Sequence, residues 1–193
     1  MSKITFEVLQ ESNIEPCRVL CDELMRFQQS KATIFPSAFD NMSFDTRMKP
    51  AYDSALEKQV ILAKDGDTAI GYVFSTIDVI TEEMRDFYPE QMPRKAEDIG
   101  FYPAWLELPQ KVGRLSNLYV REQYKGQGIG STLCDMAMEW LRSFSDAPVT
   151  FTYISNGNDV AYDFYLHKGF KPSHDVFGGF IRAVCYGHDV VVE

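Results

Sequence analysis

Residues 118–131, LYVREQYKGQGIGS, decide how this chain is to be read. Leu118, Tyr119 and Val120 end an apolar strand. Lys125 closes a charged turn, and glycines at 126, 128 and 130 alternate with Gln127 and Ile129 before Ser131. From Ile129 onward Leu133, Met136, Ala137, Trp140 and Phe144 recur at helical spacing, so the glycines lie in a strand-to-helix turn. Backbone N–H groups at a helix start lack intrahelical partners and carry partial positive charge, which makes such a turn a place for a phosphate. Side chains at the glycine positions would hold a phosphate away. The segment alone also fits an ordinary strand-to-helix connection, because a lone glycine-rich turn is a weak signal.

A second cluster follows downstream: Asn158, Ala161, Tyr165, Gly169 and Phe170, in the pattern Asn-x-x-Ala-x-x-x-Tyr-x-x-x-Gly-Phe. In this order and spacing the two stretches resemble the GCN5-related N-acetyltransferase superfamily, specifically over about residues 115–170. The resemblance implies an α/β fold in one domain, with a mixed, mostly antiparallel central sheet flanked by helices. It implies acetyl-CoA as co-substrate and no metal. The pyrophosphate would rest on the amides of Gly126, Gln127, Gly128, Ile129, Gly130 and Ser131. Lys125 stands where the family carries Arg or Gln; it offers a point charge but no bidentate fork. The strand before the turn would splay from its neighbour at a bulge, freeing the backbone of Leu118, Tyr119 and Val120 to pair with the pantetheine arm. The Val120 amide would polarise the thioester carbonyl. Asn158 matches a residue that bonds the pantetheine arm, and also reads as a helix cap. Tyr165 matches the family's tyrosine that protonates the departing thiolate. Its other reading is a core aromatic beside Tyr162 and Phe164.

The acceptor implied is an amine, whose proton must go somewhere. Deprotonating an alkyl amine at pH 7 costs about 4.6 kcal/mol, and an α-amine only about 1 kcal/mol. Some family members place a carboxylate on the strand before the loop or on the one before the tyrosine helix. Here those strands carry Arg114, Ser116, Asn117 and Tyr153. Glu107 and Asp78 are the nearby candidates, each equally readable as a surface acid, and a water relay is the other option. Without an evident base, a non-catalytic acyl-CoA-binding or regulatory module stays open beside the acetyltransferase. A Mg²⁺-nucleotide loop would need a lysine before Ser131-Thr132, where Gly130 stands.

The rest of the chain sets the frame. With 193 residues and 45% hydrophobic content it suits one domain, and no stretch has the length of a membrane span or signal peptide. Cys17, Cys21, Cys134 and Cys185 lack paired spacing, so we expect reduced, buried thiols in a cytoplasmic protein. His167, His174 and His188 are not spaced as metal ligands. A net charge of −9 and a pI near 4.8 argue against nucleic acid as a partner; such a surface serves solubility, and it also attracts a cationic amine. A homodimer is the default assembly for such an enzyme.

Periodicity predicts a strand at 4–9, a helix capped by Ser12 and Glu15 and running to Phe27, and a loop at 30–42. A short helix broken near Pro50 follows at 43–56, then a hairpin of 59–64 and 68–77 through Asp65-Gly66. Strands are expected at 112–120 and 148–154, a helix at 159–168, and two last strands around Gly178-Gly179. Residues 81–110 hold four of the nine prolines and no clear periodicity, which marks an insertion of functional use. We expect it to line the acceptor side, with Phe87, Tyr88, Phe101, Tyr102 and Trp105 as a wall and Glu82, Glu83, Glu90 and Glu107 toward the amine.

Overall fold

The computed structural model describes residues 3–9, 13–90, 92 and 100–188. Strand β1 (Ile4–Val8) leads through a 3-10 turn, Glu15–Cys17, into α1 (Arg18–Lys31). Pro16 sits in that turn, where its missing N–H does little harm. Ser12, the expected cap, lies outside the described residues. The loop expected at 30–42 is shorter, since α1 runs to Lys31 and Pro36–Phe39 forms a 3-10 turn. Pro50 does not break a helix. Phe44–Met48 make a π-helical turn closed by a Ser43–Thr46 capping box, and α2 (Lys49–Ser54) carries Pro50 in its first turn, where proline is tolerated.

Strands β2 (Glu57–Asp65) and β3 (Thr68–Ile80) form the expected hairpin, with Gly66 at φ +58°. After the single turn α3 (Glu82–Arg85) come β4 (Gln110–Val120), α4 (Ile129–Arg142), β5 (Thr150–Ser155), α5 (Asp159–His167), β6 (Lys171–Val176) and β7 (Ile181–Tyr186). Among the described residues the strands form one sheet in the order β1-β2-β3-β4-β5-β7-β6. Every neighbouring pair is antiparallel except β4 and β5. The mixed, mostly antiparallel architecture expected from the motifs is the one found.

Each sheet face has its own core. On one, Leu133, Ala137 and Leu141 of α4 pack with Tyr165 of α5 against Ile61, Val73, Ile77 and Leu115. Helix α4 buries Ile129, Leu133, Cys134, Ala137, Met138 and Leu141. At about 1.5–3 kcal/mol per large apolar side chain, this face outweighs the roughly 1 kcal/mol that Gly130 costs a helix. On the other face Leu20 and Leu24 of α1 join Phe44 and Met48 against Tyr72 and Phe74. All four cysteines are free and buried, Cys17 and Cys21 in this second cluster.

The connection between β3 and β4 is packed down where it is described. Tyr102 and Leu106 pack on Ile80, Val112 and Phe151, and Phe101 stacks on Tyr153 with ring centroids 4.3 Å apart. Its aromatics therefore finish the core beside β5 and β7 and do not stand as a free wall, because burying a ring of that size is worth more than displaying it. Phe87 is the exception, 56% exposed. Glu82, Glu83, Glu90 and Glu107 are all exposed, and Glu82 and Glu83 flank a separate surface recess with Leu108 and Pro109.

Candidate active site

The site begins with a failure of pairing. β4 and β5 are in register only at Gly113–Thr150 and Arg114–Phe151, and beyond Arg114 they part. Ser116 is an extra residue on β4, because Phe74 faces Asn117 while Ser75 faces Leu115. Such a bulge increases local twist and turns the strand away from its neighbour. The direction of the freed groups follows from the ladder. Arg121 donates its N–H to Ile70 O at 2.9 Å. Antiparallel residues alternate in the side their N–H faces, so Tyr119, opposite Tyr72, is bonded to β3, whereas Leu118 and Val120 direct their amides into the gap. Of the three backbones expected to be free, Tyr119's is in the ladder.

The glycine turn closes this gap at one end. Gly126 and Gly128 have φ +76° and +80°, a conformation side chains disfavour, and a Cβ on either would meet no atom within 4 Å. Gly128 is the N-cap of α4 and supplies no side-chain cap. Its carbonyl accepts from Thr132 N at 3.0 Å, which leaves the N–H groups of Ile129, Gly130 and Ser131 without intrahelical acceptors. Positive backbone ends facing open space suit an anion.

Between these elements lies a cavity of about 670 Å³. Leu118, Tyr119, Val120, Lys125, Gly126, Gly128, Ile129, Gly130, Ser131, Asn158 and Tyr165 all line it. Gln127, also expected there, does not; its amide reaches back to Gln123 O at 3.4 Å. No described residue of 81–110 lines the cavity, so the described part of the long connection lies off this side. The inner wall comes from α1 through Leu24 and Phe27, which the sequence reading missed. Their apolar spacing marked only a core face. Lys31 and Lys125 both sit over the Phe27 ring, at 5.7 and 4.8 Å from its centroid, and Lys125 also pairs with Glu122 at 2.6 Å. Lys168, one residue past α5, donates to Ser131 Oγ at 2.5 Å and to Asp135 at 2.7 Å, clamping the start of α4.

Asn158 combines both of its readings. It caps α5, accepting from Ala161 N at 3.4 Å, and it lines the cavity. Tyr165 is 5% exposed and packs edge-on against Phe164 and Phe170, while its hydroxyl has no hydrogen-bond partner among the described residues. Burial, with Cys134 adding to it, holds the phenol's pKa well above its ordinary value, so it stays protonated at neutral pH.

Neither expected base lines the cavity. Asp78 Oδ2 pairs with Arg114 Nε at 3.0 Å and accepts from Thr76 Oγ1 at 2.8 Å, while Glu107 is exposed to solvent. His174 is held between the Phe101 carbonyl at 3.1 Å and Ser173 Oγ at 2.8 Å, and desolvation lowers its pKa. It pins the long connection to β6.

Asn156, read in sequence only as a turn residue, joins three segments. Its Oδ1 accepts from Thr33 N at 2.6 Å and Ile34 N at 2.7 Å, and its Nδ2 donates to Ile34 O at 3.1 Å and Phe180 O at 3.0 Å. The stretch after α1 and the β6–β7 turn are thereby fixed to the end of β5. Each of those two segments holds a phenylalanine at positive φ, Phe35 at 48° and Phe177 at 54°. Such backbone costs about 1–2 kcal/mol for a residue with a side chain. A long-range tie of this kind has no local sequence signature.

Solved structures share this fold. The N-acetyltransferase PaiA from Thermoplasma acidophilum, in complex with coenzyme A, superposes with a TM-score of 0.63 at 16% identity, over 96% of this chain and 99% of its own. Naa50 from Arabidopsis thaliana, in complex with the bisubstrate analogue CoA-Ac-MVNAL, gives 0.59 at 13% identity over 96% and 99%. An acetyltransferase from Thermus thermophilus gives 0.57 at 15% identity over 97% and 100%. At these identities the likeness is one of fold. No curated protein sequence matches the chain. The sequence model of the Acetyltransferase (GNAT) family matches residues 24–170, which span the α1 wall, the splayed strand, the glycine turn and the tyrosine helix, and the chain belongs to that family.

Proposed function

We propose that the protein transfers the acetyl group of acetyl-CoA to a primary amine by direct attack within a ternary complex. The observation that carries this reading is the convergence, in one cavity, of an uncapped helix start, an unpaired strand edge and a buried protonated phenol. The coenzyme supplies an activated thioester. The amides of residues 129–131 hold its pyrophosphate, with Lys125 as a point charge. Asn158 and the free backbone of β4 hold the pantetheine arm as an added strand. The amide of Val120, or that of Leu118 two residues nearer Arg114, donates to the carbonyl oxygen as negative charge builds there. Tyr165 gives its proton to the departing sulfur, and Phe164 and Phe170 hold its ring in place. The amine's proton leaves through water, since Asp78 is engaged by Arg114 and Thr76. That engagement is also what favours the second reading, a non-catalytic acyl-CoA-binding module.

Tyr165→Phe separates the two. It keeps the packed ring and removes only the hydroxyl, and losing a general acid costs about 10²–10⁴-fold in rate. We expect such a loss in kcat with coenzyme affinity and melting temperature unchanged, shrinking when the thioester carries a more acidic thiol. Wild-type turnover in the variant would make Tyr165 a packing residue. No turnover of any amine by wild-type protein that still binds acetyl-CoA would favour the module.

A further inference from the structure

The sheet face beneath α1 and α2 holds a polar cluster that the acetyl-transfer steps do not use. The β3–β4 register sets Arg114 opposite Thr76 and Asn117 opposite Phe74. Phe74 packs with Tyr72 against Phe44 and Met48, the two buried residues of the π-helical turn that carries Arg47. Arg47 thus stands over the same face from the opposite wall, near enough for the charge of Arg114 to bear on it.

The charges there do not balance. Arg114 is offset by Asp78 through its Nε edge. Arg47 has no carboxylate within ion-pair distance among the described residues, and Asp45, two positions away, is turned to Arg18 at 2.5 Å. In a chain of net charge −9, a shortage of acids does not explain this. Arg47 keeps access to solvent, yet protein surrounds it closely enough that desolvation lowers its pKa. Two phenols add a second, independent observation. Tyr72 and Tyr102 are 0% and 2% exposed, and neither hydroxyl has a hydrogen-bond partner among the described residues. Tyr72 stands beside Cys21, next to Arg47, and Tyr102 stands beside Arg114. Buried phenols ordinarily find partners. Two guanidinium groups and two buried hydroxyls without a well-formed bond, on one side of the sheet, ask for an acceptor of hydrogen bonds that carries negative charge.

We propose that the acceptor amine carries an oxyanion, a carboxylate or phosphate, bound by Arg47 and Arg114 with Tyr72 and Tyr102 as neutral donors. This rests on the acetyl-transfer reading and narrows its substrate class. Arg114 lies four residues before Leu118 on β4, about 13 Å of strand at roughly 3.3 Å per residue. The arginine side chain and a substrate a few bonds long span that distance, leaving the amine near the unpaired amides. An acidic exterior does not contradict this, since only charges within the cleft act on a bound group at physiological salt.

The test uses the full chain saturated with acetyl-CoA and two matched series, α-amino acids against their amides and aminoalkyl phosphates against the corresponding amino alcohols. We expect kcat/KM at least tenfold higher for the anionic member of one series, and the series that responds identifies the oxyanion. In Arg47→Gln that ratio collapses toward one, mainly through KM, and Arg47→Lys restores part of it. Equal rates for anionic and neutral members, or a ratio unchanged in Arg47→Gln, overturn the proposal. If no amine in either series reacts, the acetyl-transfer reading fails by itself. The oxyanion site is then judged by thermal protection of the CoA-bound protein with N-acetylated amino acids and aminoalkyl phosphates against N-acetylated amino-acid amides and amino alcohols. Protection by the anionic members of either pair alone, lost in Arg47→Gln, supports the site; equal or absent protection in both pairs refutes it.

Discussion

Ser131→Asp should strengthen the fold and weaken the coenzyme together, and this opposition of sign tests the pyrophosphate site directly. Ser131 is the third residue of α4, with its side chain against Lys168 and its amide unpaired. An acid in an uncapped first turn gains about 0.3–1 kcal/mol from the helix dipole. For a chain of this size, about 2–4 °C per kcal/mol turns that into a melting temperature raised by roughly 1–3 °C. A pyrophosphate on the same amides would face the new carboxylate. At about 6 Å and an effective dielectric constant near 20, each pair of like charges repels by about 3 kcal/mol. Lys168, already at 2.5 Å from Ser131 Oγ, would offset part of this. Taking half as remaining gives about 1.5–3 kcal/mol, or a 10- to 150-fold weaker Kd at about 1.4 kcal/mol per decade.

Calorimetric titration with CoA, beside a thermal melt, reads both effects, and Ser131→Asn controls for loss of the hydroxyl without adding charge. If Ser131→Asp binds CoA no worse than Ser131→Asn while melting higher, the helix start is not the phosphate site. A melting temperature that falls would show that the Lys168 clamp outweighs the dipole.

The other two consequences concern the loops and alkaline pH. Asn156→Ala removes five side-chain contacts that fix the stretch after α1 and the β6–β7 turn to β5, so we expect a lower melting temperature and a raised acceptor KM with CoA affinity held, measured by steady-state kinetics and titration. Burial raises the thiol pKa of Cys17 to about 12 and of Cys21 and Cys134 to about 11, and raises the phenols of Tyr72, Tyr153 and Tyr165 well above the ordinary range. The folded state therefore binds more protons than the unfolded chain above the ordinary thiol pKa of about 8.5, so stability is intact below it and falls as pH rises through 11 to 12. Urea midpoints flat to pH 8 and declining from pH 9 upward would agree; a midpoint unchanged at pH 11 would not.

What the sequence made legible were features written over short distances. The 3.6-residue repeat from Ile129 to Leu141 and the Gly66 hairpin needed only neighbouring residues, and so did the Gly126–Gly128–Gly130 turn. Eleven of the twelve positions named for the coenzyme line one cavity, because a phosphate turn and its strand are contiguous in the chain. Gln127 escaped, since alternation cannot say which side of an irregular turn a side chain takes. The long connection was misjudged in character: composition shows that Phe101, Tyr102 and Trp105 are present, but whether they face solvent or complete a core depends on β5 and β7, more than 40 residues further on. A bulge followed from the resemblance, but its place at Ser116, the Asn156 tie and the nearness of Arg47 to Arg114 arise only from pairing and packing between distant segments.

Charge shows the same division between global and local information. A net charge of −9 is a property of the surface, and it pointed to a cationic acceptor. With a Debye length of about 8 Å at physiological salt, exposed acids such as Glu82, Glu83 and Glu90 influence the approach of a ligand more than its bound state. Inside the site, fields are set by the groups nearest the bound molecules. These are the helix start at 129–131, Lys125 at its mouth, and Arg114 and Arg47 on the sheet face beneath α1 and α2. All are positive, while Asp78, the nearest acid to Arg114, is already engaged. A polyanionic coenzyme and an acceptor carrying an oxyanion match that interior, and the acidic exterior then acts on solubility and encounter rather than on the choice of what is bound.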